Sequence, residues 1–237
     1  MTKAPQAGKV KTRLTPPLSA EEAAALNTCF LRDTASAIAK TAEEGSSRGI
    51  AVYTPVGAEA AYAGILSEEF ELVPQRGDAF GERLALATED LLRLGFDSLC
   101  LIDSDSPTVP QQAFAQAVDF LSQPADSIVL GPSDDGGYYL IGLKKLHRQL
   151  FEDIDWSTER VLEQTVQRAG EINLPVHLLP TWYDVDDRAT LSRLCQEFFG
   201  ANGSGSDGYP APATRRFLDE LLQREGRQRI WPDKSNS

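Results

Sequence analysis

Residues 98–107, Ser-Leu-Cys-Leu-Ile-Asp-Ser-Asp-Ser-Pro, constrain the fold more than any other stretch of this chain. A short unbroken apolar run is typical of a strand buried on both faces, as in the middle of a parallel sheet. Because proline cannot continue a central strand, this strand is predicted to end before Pro107. Asp103 and Asp105 then follow its carboxyl end, which is where open α/β sheets bind their ligands.

This Asp-x-Asp pair has two interpretations. Two carboxylates on one tight turn supply the oxygen ligands that Mg²⁺ or Mn²⁺ needs when substrate phosphates and water supply the rest. Alternatively, one aspartate caps a helix that begins near Pro110 and the other is solvated. The pair by itself leaves both interpretations open.

Length and composition narrow the class of protein. With 237 residues, the chain is long enough for one large α/β domain with a sizeable core. The net charge of −12 argues against nucleic acid or an anionic membrane as a partner, but a metal and a few local cations still permit a phosphorylated substrate. No signal peptide or membrane span is visible, and the three cysteines (Cys29, Cys100 and Cys195) show no metal spacing, so a cytoplasmic protein with reduced thiols is expected.

The N-terminal segment, residues 1–18, is rich in proline and is predicted to be a loop. Lys3, Lys11 and Arg13 make it basic in an otherwise acidic chain, and Gly8 gives it a flexible backbone. A glycine-containing loop with Lys and Arg before a helix suits phosphate, because backbone N–H groups and cations can converge on one anion. The alternative is a basic, mobile N-terminal tail.

Periodicity and turn residues predict the other elements. Ser19 and Glu22 form a capping box at the start of a helix, and Ser157 is predicted to cap another. Strands are expected at 50–53, 70–73, 127–130 and 176–179, and further helices at 58–66, 80–94, 110–121, 157–170, 188–199 and 213–223. Residues 1–199 are predicted to form one domain, residues 200–212 a Gly/Ser/Pro-rich linker, and residues 213–237 a C-terminal helix and a polar tail that frays from Gly226.

Polar residues recur where predicted strands end. Gln75, Arg76 and Arg83 cluster between a strand and a helix, although Arg83 could equally pair with a nearby glutamate on the surface. Asp33 lies on the apolar stripe of the first helix, so a hydrogen bond to a neighbouring loop is expected.

Two more acidic loops follow strands. Residues 131–143 contain Asp-Asp-Gly-Gly, which permits close approach of the backbone to a ligand or makes a simple hairpin turn. Asp184 and Asp186 form a second Asp-x-Asp, which is either a second set of ligands or a solvated pair beside the helix cap Asp187.

Taken together, these motifs resemble the arsenosugar-biosynthesis-type glycosyltransferases. These are nucleotide-diphospho-sugar transferase-like proteins of the GT-A fold and distant relatives of the 2-phospho-lactate and molybdopterin guanylyltransferases. The matching stretches, in the order of the family, are Lys3-Ala4-Pro5 with Gly8, residues 10–14, Arg76-Gly77 with residues 81–84, residues 103–107, Gly131-Pro132 with residues 134–142, residues 156–158 and residues 183–186. The resemblance covers residues 3–195 and implies an α/β, Rossmann-like, mostly parallel sheet with helices on both faces.

Two features depart from that pattern. The resemblance implies an apolar strand directly before the Lys-Ala-Pro loop, whereas Met1 lies almost at that loop. The first strand is therefore expected to be truncated. Either the start codon is misplaced, or the protein is impaired by the loss of this strand. Asp187 stands where relatives usually have threonine, which changes the helix cap but leaves Asp186 in place.

The resemblance also implies roles for residues. Asp103, Asp105 and Asp186 would bind Mg²⁺ or Mn²⁺, with Asp105 taking part in catalysis and Asp135 acting as the base for an acceptor hydroxyl. The expected nucleotide and phosphate contacts are Lys3, Gly8, Lys11, Thr12, Arg13, Gln75, Arg76, Gly77 and Arg83. The expected acceptor contacts are Asp134, Gly136, Gly137 and Tyr138.

Three functions are consistent with these residues. The first is metal-dependent transfer of a sugar from a nucleotide-diphosphate donor to a small acceptor. The second is nucleotidyl transfer from a nucleoside triphosphate to a phosphorylated small molecule. The third is nucleotide binding without catalysis, and the sequence leaves the oligomeric state open.

Overall fold

The computed structural model describes residues 1–43, 47–200 and 208–231. The expectations for residues 44–46, for linker residues 201–207 and for tail residues 232–237 lie outside this part of the chain. The strands are β1 (Thr2–Lys3), β2 (Ile50–Thr54), β3 (Glu71–Pro74), β4 (Leu99–Ile102), β5 (Ile128–Pro132), β6 (Tyr138–Leu143) and β7 (Val176–Leu178). The helices are α1 (Ala20–Glu43), α2 (Phe80–Arg93), α3 (Gln111–Leu121), α4 (Val161–Glu171), α5 (Arg188–Phe199), α6 (Pro212–Glu225) and α7 (Arg227–Ile230). None of these helices is both long and apolar enough to cross a membrane.

The strands form two sheets. One is parallel and has the order β1-β2-β3, and the other has the order β4-β6-β5-β7. In the second sheet β5 and β7 are parallel, whereas β6 runs antiparallel to both of its neighbours. The predicted α/β class is confirmed, but the pairing predicted for β4 is wrong because β4 pairs with antiparallel β6. The hairpin interpretation of residues 131–143 is confirmed, since a short loop joins β5 to β6.

Helices cover both faces of the sheets. Apolar side chains of α1, α3 and α5 form one core, and those of α2 and α4 form another on the opposite side. Ile128, Val129 and Leu130 of β5 are completely buried between these layers. Burial on both faces explains why β5 is an unbroken apolar run rather than an alternating one.

Two predicted helix features are wrong. The segment predicted as a helix at 58–66 forms only a single turn, Glu59–Tyr62, because Gly57 and Gly64 on either side adopt left-handed backbone angles. Ser157 does not cap α4, because it too adopts a left-handed conformation, with a φ of 66°, and the helix begins four residues later at Val161.

The two other predicted caps are present. The N–H of Ser19 donates to Glu22 Oε2 at 2.8 Å, and the N–H of Glu22 donates to Ser19 Oγ at 3.2 Å, which completes a capping box. At the start of α5, Asp187 and Thr190 cap each other in the same reciprocal way. These interactions fix the directions in which the loops before α1 and α5 leave the core.

The C-terminal helices pack on α1. Asp33, which is 1 % exposed, accepts hydrogen bonds from the N–H groups of Ala213 and Thr214 at 3.0 and 2.7 Å and so caps α6. The bond expected for Asp33 is therefore made to the first turn of a helix. The predicted fraying from Gly226 is wrong up to residue 231, since α7 continues the chain and buries Ile230. Division into a domain, a linker and a tail stays a prediction.

Asp33→Ala is expected to lower the free energy of unfolding by about 2–3 kcal/mol, since the N–H groups of Ala213 and Thr214 in the first turn of α6 lose a charged acceptor. Thermal unfolding of the full chain measures the change, with the exposed Asp119→Ala as the matched control. A loss no larger than that of the control would show that α6 docks without this cap.

Candidate functional site

The candidate site lies where the loops after β4 and β7 meet the N-terminal loop. Lys11 Nζ is 2.6 Å from Asp105 Oδ1 and 2.8 Å from Asp186 Oδ1, and it also donates to the carbonyl of Val185 at 2.9 Å. The N–H of Val185 donates in turn to the carbonyl of Asp105 at 2.8 Å. One ammonium and one backbone hydrogen bond thus join loops that are about 80 residues apart in sequence.

The backbone conformation and burial of Lys11 are unusual for a lysine. Its φ of 47° is left-handed, its side chain is only 4 % exposed, and its ammonium lies 5.2 Å from the centroid of the Phe30 ring. Burial alone would lower the pKa of Lys11, but Asp105 and Asp186 more than offset this effect and raise it above the usual value. Lys11 is therefore a charged, anchored cation.

Asp186 pairs with two cations. In addition to Lys11, the guanidinium of Arg13 forms an ion pair with its second carboxylate oxygen. Burial would raise the pKa of Asp186, but the charges and hydrogen bonds of Lys11 and Arg13 outweigh it and lower the pKa. The structure therefore brings together Lys11, Arg13, Asp105 and Asp186 as predicted from separate motifs.

Asp103 and Asp184 are half-buried beside these charged groups. The N–H of Asp105 donates to Asp103 Oδ1 at 3.1 Å, and the hydroxyl of Ser106 donates to Asp184. Burial, followed by the charges of Asp184 and Asp105, raises the pKa of Asp103 well above its usual range. Burial, together with the charges of Asp135 and Asp105, raises the pKa of Asp184 to about 6. Neither Asp103 nor Asp184 forms an ion pair with Lys11. With their raised pKa values, these two carboxylates take up a proton more readily than Asp186 does.

Asp184→Asn is expected to stabilise the metal-free protein above about pH 6. The pKa is higher in the folded state than in the unfolded state, so ionisation disfavours folding, and this cost grows between about pH 4 and pH 6. Asparagine removes the cost, with a gain of about 2 kcal/mol at pH 7 and none near pH 4. Thermal unfolding across this pH range measures the gain. A constant difference from wild type at every pH would contradict the ionisation argument.

The loop between β5 and β6 carries the predicted acceptor and base residues. Asp135 Oδ1 accepts from the N–H of Gly137 at 2.9 Å, which folds the loop into a tight turn. Asp134 pairs with Arg193 of α5, whose guanidinium also stacks 3.7 Å from the centroid of the Tyr183 ring. Asp135 is thus held at the turn, on the same side as Asp184.

Gly136 is required by the packing of this loop. Its φ is +90°, and a Cβ there would lie 2.1 Å from the carbonyl oxygen of Glu159. Gly136→Ala is therefore expected to cost at least about 2 kcal/mol through backbone strain and steric overlap. Thermal unfolding checks this, with Gly170→Ala as the control, because a Cβ at that position in α4 meets nothing within 4 Å. Equal unfolding temperatures for the two variants would contradict the prediction.

Gln75 and Arg76, predicted to border the base, contact other residues. The amide of Gln75 donates to the carbonyls of Thr2 at 3.1 Å and Val52 at 2.9 Å and so bridges β1 and β2. The guanidinium of Arg76 binds the carboxylate of Asp90 on α2 through Nε and Nη2, at 2.9 and 2.5 Å. A contact of either side chain with a nucleotide stays a prediction.

Gly77 and Arg83 lie near the start of α2. Gly77 has a φ of +95°, and a Cβ there would lie 2.9 Å from Cγ of Glu82. The Arg83 guanidinium lies 5.7 Å from the centroid of the Phe80 ring, and its Nε is buried with no hydrogen-bond partner among the described residues. A contact of Arg83 or Gly77 with a nucleotide stays a prediction.

The remaining predicted residues show no side-chain contact with Lys11, Asp105 or Asp186 among the described residues. Lys3 and Thr12 are exposed, and Gly8 provides a left-handed turn with a φ of +71°. The hydroxyl of Tyr138 is buried without a partner in the described part of the chain, and its ring packs edge-on against Trp156. Burial raises the pKa of Tyr138 well above the usual value for tyrosine.

The arrangement suits a divalent cation only in part. Asp105 and Asp186 converge on one positive charge, which the Lys11 ammonium provides. Among residues 1–43, 47–200 and 208–231, no three His, Cys, Asp or Glu side chains are grouped closely enough to hold a metal ion. Two carboxylates are sufficient for Mg²⁺ when substrate phosphates complete its ligands. The donor set therefore fits a metal that binds together with a phosphorylated substrate.

Asp184 and Arg193 belong to the site although neither was among the predicted site residues. Asp184 lies within the second Asp-x-Asp motif, so its position was visible, but its hydrogen bond with Ser106 was not. Arg193 carries no local signal, because it is an exposed residue of α5 that reaches Asp134 only through the fold.

Known structures share this fold. A protein from Desulfovibrio desulfuricans G20 named as a candidate nucleotide-diphospho-sugar transferase is 29 % identical, with a TM-score of 0.80 and coverage of 95 % of both chains. CMP:2-keto-3-deoxy-manno-octonic acid synthetase complexed with CTP is 11 % identical, with a TM-score of 0.50 and coverage of 70 % of this chain and 85 % of the other, so it supports the fold alone. No curated protein matches the chain. The predicted resemblance to nucleotide-diphospho-sugar transferase-like proteins is confirmed.

The family follows from the sequence match. A family model described as "Uncharacterized protein conserved in bacteria (DUF2064)" matches residues 37–158, which is more than half of the chain. The chain belongs to this family. The matched range contains the Asp103–Asp105 loop and the Asp134–Gly137 loop, whereas Lys11 and Asp186 lie outside it.

Proposed function

We propose that this protein is a divalent-metal-dependent transferase that moves a sugar from a nucleotide-diphosphate donor to a small acceptor. The observation that carries the proposal is the convergence of Lys11, Asp105 and Asp186 at the carboxyl ends of β4 and β7. In α/β folds this edge is where ligands bind. The similarity to the Desulfovibrio protein extends over nearly the whole chain, and its name describes the same class of reaction.

The cations and carboxylates have complementary roles. Lys11 and Arg13, which pair with Asp186 in this structure, would bind the oxygens of a diphosphate, and Lys3 of β1 would assist them. Asp105 and Asp186 would hold the metal, and Asp103 holds the Asp105 loop through its backbone N–H. A bound Mg²⁺ or Mn²⁺ supplies neutralisation of the charge that develops on the leaving diphosphate.

The acceptor side is formed by the loop that follows β5. We assign Asp135 as the base for the acceptor hydroxyl, because the Gly137 N–H holds one of its oxygens while the carboxylate stays at the turn. Asp134, Gly136 and Tyr138 would shape the surrounding wall. A net charge of −12 is compatible with such a substrate because Lys11, Arg13 and a bound metal would make the potential at the site locally positive. Location in the cytoplasm stays a prediction.

A thermal-shift screen tests the proposal. Nucleoside triphosphates, diphosphates and nucleotide sugars are added one by one, each with and without Mg²⁺ or Mn²⁺. Because a ligand that binds only the folded state raises the melting temperature, a metal-dependent rise with a nucleoside diphosphate or its sugar is expected. A rise only with triphosphates would indicate nucleotidyl transfer instead. A cooperative melt that no nucleotide shifts would contradict the proposal and favour a non-catalytic role.

A further inference from the structure

An open aromatic cluster lies near the loop that carries Asp135. Phe80, the first residue of α2, is 46 % exposed, and it is the one aromatic side chain among the exposed large apolar residues of the described chain. Its ring packs edge-on against Trp156, with 5.1 Å between the centroids, and Trp156 packs edge-on against Tyr138 at 6.5 Å. A single exposed apolar residue is common on a protein surface, whereas linked rings form a contiguous apolar surface that suits a ligand.

The cluster lies beside the residues proposed for the metal and for the base. The N–H of Asp103 donates to the carbonyl of Tyr139 at 3.0 Å, so the start of β6 lies directly beside the loop that follows β4. Tyr138 is the first residue of β6 and follows the turn that Asp135 closes. A small molecule that contacts these rings therefore lies beside the turn that carries the proposed base.

The loop before α4 holds Trp156 in place. A carboxylate oxygen of Asp155 accepts from Nε2 of Gln164 at 2.7 Å, and Oγ1 of Thr158 donates to the carbonyl of Asp155 at 2.7 Å. On the other side, a Cβ at Gly81 would lie 2.6 Å from Nε1 of Trp156, so the indole packs directly on the first turn of α2. Because the half-buried ring is already fixed, little conformational entropy is lost when a ligand contacts it.

Arg83 adds an unpaired positive charge to the cluster. Its guanidinium carbon lies 5.7 Å from the centroid of the Phe80 ring, and the residue is half-buried. Within the described ranges Arg83 forms no ion pair, and its Nε, which is shielded from solvent, has no hydrogen-bond partner. By contrast, Arg76 in the preceding loop binds Asp90 through two nitrogens. Because a guanidinium binds carboxylates and phosphates through paired hydrogen bonds, an unpaired one beside an aromatic surface indicates a ligand with an anionic group.

The neighbours of Arg83 are those of the acceptor side. Through Phe80 and Trp156 it is connected to Tyr138, which was predicted to contact the acceptor. The cations proposed for the diphosphate lie instead in the N-terminal loop, where they pair with aspartates at the ends of other strands. These contacts therefore favour the acceptor over the nucleotide as the ligand of Arg83.

We propose that Phe80, Trp156 and Arg83 form a binding site for a small acceptor that carries a carboxylate or a phosphate beside a flat apolar face. The apolar face of the ligand contacts the two rings, and its anionic group binds the guanidinium of Arg83. The role of this ligand as the acceptor rests on the proposed function, whereas the site itself rests on the contacts described above.

Small probes that share parts of this chemistry test the site on the full chain. Benzoate and phenyl phosphate carry both a ring and an anion, benzyl alcohol carries the ring alone, and acetate and inorganic phosphate carry the anion alone. Binding is measured by nuclear magnetic resonance as the shift of the indole N–H signal of Trp156, with the indole of Trp231 beside α7 as the internal control. At least one aromatic anion is expected to bind with a Kd of about 1 mM or lower, at least about tenfold tighter than either of its parts. The tighter of the two identifies the anionic group.

Variants separate the contributions of the charge and of the ring. Arg83→Met keeps an apolar stem beside Phe80 but removes the charge, and it is expected to weaken binding of the aromatic anion at least about tenfold. Phe80→Ala is expected to weaken it to the affinity of acetate or inorganic phosphate. Leu94→Ala, which removes an exposed apolar side chain just after the other end of α2, and Arg215→Met, which removes an exposed arginine of α6, are the matched controls. Both controls are expected to bind as the wild type does.

Equal affinity of the wild type for the aromatic anions and for benzyl alcohol would overturn the proposal, because the anion would then not be recognised. Unchanged binding in Arg83→Met would overturn it too, as would shifts at Trp231 as large as those at Trp156. Loss of the thermal shift with a nucleoside diphosphate in Arg83→Met, without any change in probe binding, would assign Arg83 to the nucleotide instead.

The thermal-shift screen of the wild type keeps this test separate from that of the proposed function. A metal-dependent shift with a nucleotide, together with no binding of the aromatic anions, overturns this site alone. Binding of the aromatic anions that depends on Arg83, together with no shift by any nucleotide, supports the site and contradicts the transferase.

Discussion

Replacing Asp105 by asparagine is expected to abolish metal-dependent binding of a nucleoside diphosphate while leaving the fold intact. Asparagine keeps the size of the side chain but removes one of the two charges that converge on the cation position. Mg²⁺ bound with phosphates depends on one or two carboxylates, so the loss of one leaves only Asp186 in place. The expected weakening is at least about 50-fold, which corresponds to about 2.3 kcal/mol.

Isothermal titration with the nucleotide that gives the largest thermal shift measures this effect, with and without Mn²⁺. Asp97→Asn is the matched control, because Asp97 is exposed and lies just before the same strand, at its opposite end. The control is expected to bind as the wild type does. If the Asp105→Asn variant binds nucleotide with unchanged affinity and unchanged metal dependence, Asp105 is not a metal ligand. Loss of binding together with loss of cooperative unfolding would instead assign Asp105 a structural role.

Local sequence signals located several of the residues that meet at the candidate site. A buried apolar run before Asp103 and Asp105 located the end of a strand, and cations in a glycine-containing loop marked Lys11 and Arg13. The caps at Ser19 and Asp187 were also visible, because capping residues act within one turn of the chain. Signals of this kind depend only on near neighbours in sequence.

The sequence could not show which parts meet. The ammonium of Lys11 contacts carboxylates 94 and 175 residues away, and this proximity depends on the order of the strands in the sheets. For the same reason Gln75, predicted to border a base, bridges the carbonyls of two strands instead. The hairpin interpretation allowed a strand after the glycine loop, but no local pattern shows that β6 lies beside β4, so the antiparallel pairing of β4 was missed.

The position of Lys11 also implies competition with the metal. In this structure its ammonium contacts both carboxylates that are proposed to bind the cation. A divalent ion and the lysine cannot both occupy that position, so metal binding requires Lys11 to move towards the phosphates. Arg13, which pairs with the outer oxygen of Asp186, is exposed and can follow without cost to the core.

Lys11→Met is therefore expected to lower the melting temperature of the metal-free protein and to increase its response to metal. Methionine keeps the apolar stem beside Phe30 but leaves two partly buried carboxylates without their shared cation. Because Asp105 and Asp186 stay partly exposed, the cost is about 2 kcal/mol, which lowers the melting temperature by about 4–8 °C.

Mn²⁺ is expected to restore much of this loss, because the ion takes the vacated position and binds only the folded state. Thermal unfolding over a range of Mn²⁺ concentrations measures the rescue, with Lys9→Met as the control, since Lys9 is exposed in the same loop. In the double variant Lys11→Met/Asp105→Asn the rescue should disappear, as only Asp186 remains. A metal response in Lys11→Met no larger than that of the wild type would show that Lys11 pairs with the two aspartates for structural reasons alone, and that the cation position it fills is not a metal site.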